Sequence, residues 1–384
     1  MTRILILGGY GQTGRHLARH LLERSQAELV LAGRRLAKAQ ALAETLNEGV
    51  PGDRVSARRA DAASSESLAA CLEGIDLLLV AAPVTEHFDS VVQAALEARV
   101  DCVDIQIGAQ KAAYLRSRAA EIEQAGLCFV TEAGFHPGLP AALVRHAAQR
   151  CEGSTDVLVG CHLSVGDESL YTEAVDELVA IFADYQGQVF EQGAWTPSGS
   201  YRTRTIDFGS DIGRRRCYSM FFEELRDLPG ALPSLGGLGF FIAGTHWFVD
   251  WLISPVVMAG MKLAPRRGQR PLGKLLWWSM QRLARPPHRT VLRVEGRQAP
   301  EDSSPAYVAQ IGHEDAYALT AIPVVACLIQ LLDGTIHRPG LWLMGQVVEP
   351  SRLLSDMQAM GVHVSETGGE RRSKPPRPAP SAAG

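Results

Sequence analysis

A glycine-rich loop near the amino terminus is the feature that most constrains the fold. The run Gly9-Tyr10-Gly11-Gln12-Thr13-Gly14 follows a short apolar segment, residues 3–7, and opens a segment with helical spacing, residues 13–24. In this strand–loop–helix context, G-x-G-x-x-G spacing allows a tight turn, close approach of the backbone to a pyrophosphate, and close packing of helix against strand. The helix N-terminus presents free N–H groups to phosphate. We therefore predict that all six loop residues bind a dinucleotide.

Strand-like and helix-like segments continue to alternate as far as residue 133. This alternation predicts β-α-β units and a parallel sheet covered on both faces, which is an α/β fold of the Rossmann type. Residues 134–315 differ in pattern and are predicted to form a second, α+β domain for substrate binding or dimerisation. Apolar helices within residues 316–362 are predicted to return to the first domain. The polar, proline-rich residues 363–384 are predicted to be a disordered tail.

The end of the second predicted strand indicates which dinucleotide binds. An NAD-specific site has an acidic residue there, whereas this chain has Arg34 and Arg35. Because guanidinium groups bind phosphate bidentately, we expect NADP, whose ribose carries a 2′-phosphate. Asp61, after the third strand, is a candidate either for contact with the adenine or for helix capping. Three small residues end the fourth strand and leave room for the nicotinamide ring: Ala81, Ala82 and Pro83.

Catalytic groups are expected at the ends of the fifth and sixth strands, because nicotinamide binds over the carboxyl ends of strands in this fold. The candidates are Asp104, Glu132 and His136. His136 is favoured as the proton donor, since the unperturbed pKa of histidine is near 6.5. The alternative is that His136 only forms hydrogen bonds within a proline-containing turn. The seven cysteines include no C-x-x-C pair, and no metal site is expected.

Composition limits which binding partners and which cellular compartment are expected. The net charge of -4 gives no reason to expect nucleic acid as a partner. An odd number of dispersed cysteines fits reduced thiols, and the apolar start is too short for a signal peptide. We therefore expect a cytoplasmic protein.

A long apolar stretch, residues 235–263, needs its own explanation. It contains His246, Asp250 and Pro255, and a central aspartate is costly in a membrane-spanning helix. We expect instead a helix pair of the second domain that shields a hydrophobic substrate cleft or a homodimer surface. Contact with a membrane surface is the alternative.

Three segments of the chain together resemble the saccharopine dehydrogenase-like family of NADP-dependent reductases. The first is the glycine loop with Leu-Ala-Gly-Arg-Arg at residues 31–35. The second is Cys-Val-Asp at 102–104 with Glu-Ala-Gly-Phe-His-Pro-Gly-Leu at 132–139, similar to the family's Tyr-x-Asp and Gly-x-x-Pro-Gly segments. The third is Ile-His-Arg-Pro-Gly at 336–340, before a final helix. The resemblance implies a Rossmann domain, an inserted α+β domain, and a C-terminal helix that returns to the first domain.

The resemblance also implies an activity. Its relatives include reductases of imines formed between an amine and a keto acid, and enoyl reductases that act on lipid-like substrates. We therefore expect an NADP-dependent oxidoreductase that reduces a C=N or activated C=C bond of a small molecule, which the aromatic stretch suggests is hydrophobic. Two alternatives stay open: a non-catalytic NADP-binding sensor or partner protein, and a membrane-surface enoyl reductase that acts on a lipid.

Overall fold

The structure is a computed structural model of the chain. It describes residues 2–151, 155–163, 175, 179, 187–198, 202–244, 246–283, 288–298, 302 and 304–368.

The first domain alternates strands and helices, as predicted. Its strands are β1 (Arg3–Leu7), β2 (Glu28–Gly33), β3 (Val55–Arg59), β4 (Leu77–Val80), β5 (Asp101–Asp104) and β6 (Cys128–Thr131). Its helices are α1 (Gln12–Arg24), α2 (Leu36–Asn47), α3 (Ser65–Leu72), α4 (Phe88–Ala98) and α5 (Ala109–Gln124), with a 3-10 turn at Thr85–His87. The strands form a parallel sheet in the order β6-β5-β4-β1-β2-β3. The predicted Rossmann-type fold is confirmed.

Residues 139–313 supply most of the second domain. Within the described ranges, its helices are α6 (Leu139–Arg150), α7 (Leu228–Ala231), a π-helix (Val249–Ile253), α8 (Ser254–Leu263) and α9 (Pro265–Leu283), with a 3-10 turn at Glu223–Leu225. Its strands are β7 (Thr155–His162), β8 (Gln188–Glu191), β9 (Ala194–Pro197), β10 (Thr203–Asp207), β11 (Arg214–Met220), β12 (Leu235–Ala243), β13 (Thr290–Arg297) and β14 (Tyr307–His313).

The C-terminal region contributes to both domains. It contains α10 (Ala316–Leu332), β15 (Gly340–Leu343), α11 (Met344–Val347), α12 (Pro350–Ala359) and β16 (His363–Gly368). β15 lies parallel to β6 and makes the first sheet seven-stranded. The second sheet has the order β10-β11-β12-β7-β13-β14-β16, with the β8–β9 hairpin attached to β12. It is a mixed sheet, since β7 and β12 are parallel and its other pairs are antiparallel.

The prediction of a disordered tail from residue 363 is wrong for its first six residues, which form β16. These residues are mostly exposed and polar, so their pattern resembles that of a solvated tail. Backbone pairing with β14 and the Glu366 carboxylate hold the strand in place. That carboxylate lies 2.8 Å from His146 Nε2 and accepts a hydrogen bond from the Tyr307 hydroxyl. Residues 369–384 of the predicted tail lie outside the described residues.

The prediction of a helix pair over residues 235–263 is wrong for its first third. Leu235–Ala243 is strand β12, inside the second sheet between β7 and β11. Its glycines allow neighbours to come close; a Cβ on Gly237 would lie 2.7 Å from Asp156 Oδ1. The helical part begins only after this strand. No helix within the described ranges is long and apolar enough to cross a bilayer.

One hydrophobic core joins the two sheets. It includes Ile4 and Ile6 of β1, Val159 of β7 and Ile311 of β14. Helix α10 is buried nearly all round and packs against α1, α12 and β14. Asp315 caps this helix by accepting hydrogen bonds from the N–H groups of residues 317 and 318. The C-terminal helices therefore contact both the first and the second domain.

Candidate active site

The glycine loop has the geometry of a phosphate cradle. Gly8 has a φ of 87°, which favours glycine, and a Cβ on Gly14 would lie 2.3 Å from the Gly8 carbonyl oxygen. Gly14 is therefore needed for the packing of α1 against the loop. Gly11 is different, because its nearest neighbour would lie 3.1 Å from an added Cβ, and the space beside it is open to a ligand. Gly11 caps α1, and none of the described side chains bonds to its first N–H groups.

Three arginines surround the end of β2, where the ribose of a dinucleotide is expected. Arg34 and Arg35 are exposed, and β3 places exposed Arg59 beside Gly33 in the sheet register. Tyr10 lies over this position; its hydroxyl accepts a hydrogen bond from the Arg35 backbone N–H at 3.1 Å. Arg59 was not predicted from the sequence, since its proximity depends on the register of β3 against β2. The cluster suits a 2′-phosphate.

The fourth strand ends beside the glycine loop. Ala81 and Ala82 lie against it, because a Cβ on Gly8 would be 2.8–2.9 Å from their backbone atoms. Pro83 follows them and is exposed.

The Asp61 carboxylate accepts a hydrogen bond from the Ala63 N–H at 3.2 Å, whereas Ser64 caps α3. Asp61 therefore stabilises the turn before α3 and is not itself the cap of that helix.

A buried lysine connects the ends of β5 and β6. Lys111 Nζ lies 2.7 Å from Asp104 Oδ1 and 2.8 Å from Thr131 Oγ1, and it also donates to the Gln106 carbonyl. All four of these residues are buried. Lys111 was not predicted as a site residue, because it lies in the first turn of an otherwise ordinary helix. Its three bonds account for the three hydrogens of the ammonium group.

Glu132 lies at the end of β6 with a titratable carboxyl group. It is 4% exposed, and its Oε2 has no hydrogen-bond partner among the described residues. Burial raises the pKa of Glu132 to about 7, with Lys111 opposing and Asp104 adding to the shift. Its φ of 53° is unusual for a residue with a side chain and costs about 1–3 kcal/mol. Such strain is often found at functional sites.

His136 and the second domain complete the surroundings. Burial lowers the pKa of His136 to about 4, and its ring contacts those of Phe135 and Phe222. Glu224 is fully buried and accepts a hydrogen bond from the Gly138 N–H at 2.8 Å. Burial raises the pKa of Glu224 well above its usual range, and Glu132 adds to the shift. Glu224 was missed because it is 86 residues from Gly138 in sequence. The structure thus brings Asp104, Glu132 and His136 to one edge of the sheet, facing the second domain.

Comparison with known proteins identifies the domain that contains the glycine loop. A family model described as the saccharopine dehydrogenase NADP binding domain matches residues 4–130. Residues 4–130 therefore match a saccharopine dehydrogenase-type NADP-binding domain, and the chain is an NADP-binding oxidoreductase. The predicted family and cofactor are confirmed. The glycine cradle and the arginine cluster fit NADP, and they lie within the matched residues.

Several known proteins are similar to this chain beyond the matched domain. Carboxynorspermidine synthase of Vibrio cholerae is 23% identical over 54% of this chain, and the alignment spans only 54% of that relative. Carboxynorspermidine synthase of Vibrio alginolyticus is 21% identical over 88% of this chain and 91% of that protein. Saccharopine dehydrogenase (L-Glu forming) of Saccharomyces cerevisiae has the same fold, with a TM-score of 0.65, 15% identity, and coverage of 96% of this chain and 99% of that one.

Proposed function

We propose that this protein reduces a C=N bond of a small-molecule imine and that Glu132 supplies the proton. The observation that carries the proposal is a buried carboxyl group with a pKa of about 7 and an unpartnered oxygen, at the carboxyl end of β6. An efficient acid catalyst has a pKa near the working pH. NADPH supplies the hydride when it is bound. The similar proteins, carboxynorspermidine synthase and saccharopine dehydrogenase, support an oxidoreductase reaction on a small molecule.

The balance of the step assigns a role to each group of residues. Two electrons and a hydrogen reach the imine carbon as hydride, the C=N π pair moves to nitrogen, and the proton of Glu132 forms the new N–H bond. The products are an amine, NADP⁺ and a Glu132 carboxylate. Lys111 lies near this carboxylate and favours its ionised form. Asp104 positions Lys111 through the 2.7 Å ion pair.

Glu132 suits this role better than the other two candidates. His136 has a pKa of about 4, so at neutral pH its imidazole carries no transferable cationic proton. Asp104 already accepts hydrogen bonds from Lys111 and from the Gln106 N–H. We assign His136 the shaping of the substrate site together with Phe222, which its ring contacts.

The proposed cofactor contacts follow the loop and the strand ends. Residues 9–14 would hold the pyrophosphate, and Arg34, Arg35 and Arg59 would hold the 2′-phosphate. Asp61 would contact the adenine. The small residues that end β4 would leave room for the nicotinamide ring: Ala81, Ala82 and Pro83.

Glu132→Gln tests the proposal, because glutamine keeps the shape of the side chain and removes its proton. With mixtures of an amine and a 2-oxo acid as substrate, we expect kcat to fall about 10²–10⁴-fold. The affinity for NADPH, measured by fluorescence titration, should be unchanged. In the wild type, kcat should decline above about pH 7 as the acid ionises, and the variant should lack this decline.

Glu121→Gln is the matched control, since Glu121 lies on the surface of α5 and pairs with Arg118. It should leave both kcat and the pH profile unchanged. Full activity of Glu132→Gln would refute the role of Glu132. NADPH binding without turnover of any imine would instead favour the non-catalytic sensor.

A second candidate is the reduction of an activated C=C bond in an apolar, lipid-like substrate. It is favoured by the large exposed side chains of the helical segment after β12, such as Trp247 and Leu263. The same assay separates the two, with an enoyl thioester in place of the amine and 2-oxo acid. Oxidation of NADPH by the thioester alone would favour this candidate.

A further inference from the structure

The π-helix, α8 and α9 form a small layer with its own core. The layer buries Val249, Ile253, Val257 and Met261 against Leu276 and other residues of α9. The two α-helices pack closely, since a Cβ on Gly260 would lie 2.7 Å from the Leu272 side chain. Because both helices turn their apolar faces into this cluster, their remaining faces lie away from it.

The outer face of the π-helix and α8 is apolar, although it is exposed. Leu252, Val256, Ala259 and Leu263 are all exposed and follow one another at intervals of four, three and four residues. This spacing places them on one side of a helix. Leu263 is 86% exposed, and Trp247, just before the π-helix, is 68% exposed. Contiguous exposed apolar surface of this kind usually marks an interaction site.

The outer face of α9 is basic and also carries a tryptophan. Arg267, Pro271, Lys274 and Trp278 are exposed at intervals of four, three and four residues, and Arg282 follows four residues later. Helices α8 and α9 together contain six Lys or Arg residues and no Asp or Glu. The whole chain nevertheless has a net charge of -4. Positive charge is therefore concentrated around this layer.

We infer that the outer faces of α8 and α9 bind the surface of an anionic lipid membrane. A helix that lies in a membrane interface has Leu and Trp on one side and Lys and Arg on the other. Here two neighbouring helices supply these sides, α8 the aliphatic residues and α9 the basic ones. Indole rings prefer the headgroup level, which suits Trp247 and Trp278. The inference is independent of the bond that the enzyme reduces.

The charge pattern favours an anionic membrane over a second copy of the chain and over nucleic acid. A second copy of the chain, seated face to face, would bring two basic stripes together, and like charges repel. Nucleic acid would pair with the basic residues but offers no apolar surface to Leu252, Val256 and Leu263. An anionic bilayer offers apolar chains to the aliphatic residues of α8 and negatively charged headgroups to the basic residues of α9.

The test is flotation of the full-length protein with vesicles of phosphatidylcholine alone or with about 30% phosphatidylserine. We expect binding to the anionic vesicles that weakens as salt is raised. A Leu263→Ser/Trp278→Ser variant should bind at least about tenfold more weakly. An Arg267→Glu/Lys274→Glu variant should lose the preference for phosphatidylserine. Its affinity for the phosphatidylserine vesicles should fall about fivefold or more for each residue changed.

Arg19→Glu is the matched control, since Arg19 is an exposed basic residue on α1 of the first domain. It should bind vesicles like the wild type, and all variants should keep their affinity for NADPH, which shows that they are folded. Absence of binding to anionic vesicles would overturn the inference. So would a dimer, detected by sedimentation, that Leu263→Ser/Trp278→Ser dissociates, or binding of an oligonucleotide in place of vesicles.

Discussion

At the scale of single residues, Glu132 links the stability of the fold to pH. Its pKa is about 7 in the folded protein, whereas a carboxyl group in an unfolded chain titrates near 4.3. The folded state therefore keeps this proton where the unfolded state has lost it. The resulting stability is fully present below about pH 4.3 and is lost as the pH rises to about 7.

Glu132→Gln should remove this pH dependence. We expect the difference in the free energy of unfolding between variant and wild type to change by about 3 kcal/mol from pH 4.5 to pH 7. Urea denaturation at several pH values measures it without any substrate. Parallel pH profiles for the two proteins would show that Glu132 ionises normally.

Arg34 and Arg35 should determine the preference for NADPH over NADH. Only NADPH carries the 2′-phosphate, and a hydrogen bond to a charged group contributes about 1.5–3 kcal/mol. We expect the double alanine variant to bind NADPH at least about tenfold more weakly, with NADH nearly unaffected, as measured by fluorescence titration. Arg19→Ala serves as a control. An equal loss for both cofactors would contradict the placement of the ribose.

The placement of residues that directly follow a strand could be predicted, and contacts that depend on the tertiary structure could not. Asp104, Glu132 and His136 follow apolar strands, and parallel strands bring such residues to one edge of a sheet. Lys111 has no local signal, because its importance arises from three partners on two strands and a loop. Glu224 comes from the other domain. The pKa values of Glu132 and His136 also depend on burial, which reverses their expected order as proton donors.

At the scale of elements, two glycines of the loop have different roles. Gly11 leaves space for the phosphate, and Gly14 allows α1 to pack against the loop. Gly11→Val should abolish NADPH binding and disturb the fold much less than a change at Gly14, since its φ is -71° and an added Cβ would meet only the Gly8 carbonyl oxygen, at 3.1 Å. Gly14→Ala should destabilise the protein itself, because its Cβ would lie 2.3 Å from the Gly8 carbonyl oxygen.

Thermal unfolding with and without NADPH distinguishes the two glycine variants. Gly11→Val should unfold near the wild-type temperature but gain no stability from NADPH, whereas Gly14→Ala should unfold at a lower temperature without cofactor. Retained NADPH binding by Gly11→Val would mean that the phosphate does not pass over Gly11.

Elements with strong periodicity were predicted well, and those that complete a sheet were not. The strands and helices predicted to alternate as far as residue 133 agree with β1–β6 and α1–α5, and the apolar helices predicted within residues 316–362 agree with α10 and α12. Strands β12, β15 and β16 were missed because their sequences are glycine-rich, very short or polar. Each is a strand because a neighbouring strand offers unpaired backbone groups. This information is not present in the segment itself.

At the scale of the whole molecule, the continuous core predicts that the two domains unfold together. Leu319 of α10 is fully buried, and this helix contacts α1 of the first domain and β14 of the second. Leu319→Ala should lower the free energy of unfolding by about 2–5 kcal/mol. Tryptophan fluorescence and loss of NADPH binding should report the same urea midpoint in wild type and variant. Two separated midpoints would contradict a shared core.

The strand β15 also has a consequence for how the protein is made. Chains fold from the amino terminus as they leave the ribosome. The first sheet, however, receives its last strand only after residue 343 has been synthesised. Until then the edge of β6 has unpaired backbone groups, and exposed strand edges favour aggregation. We therefore expect nascent chains that stall before β15 to depend on chaperones, although the dinucleotide loop has long been complete.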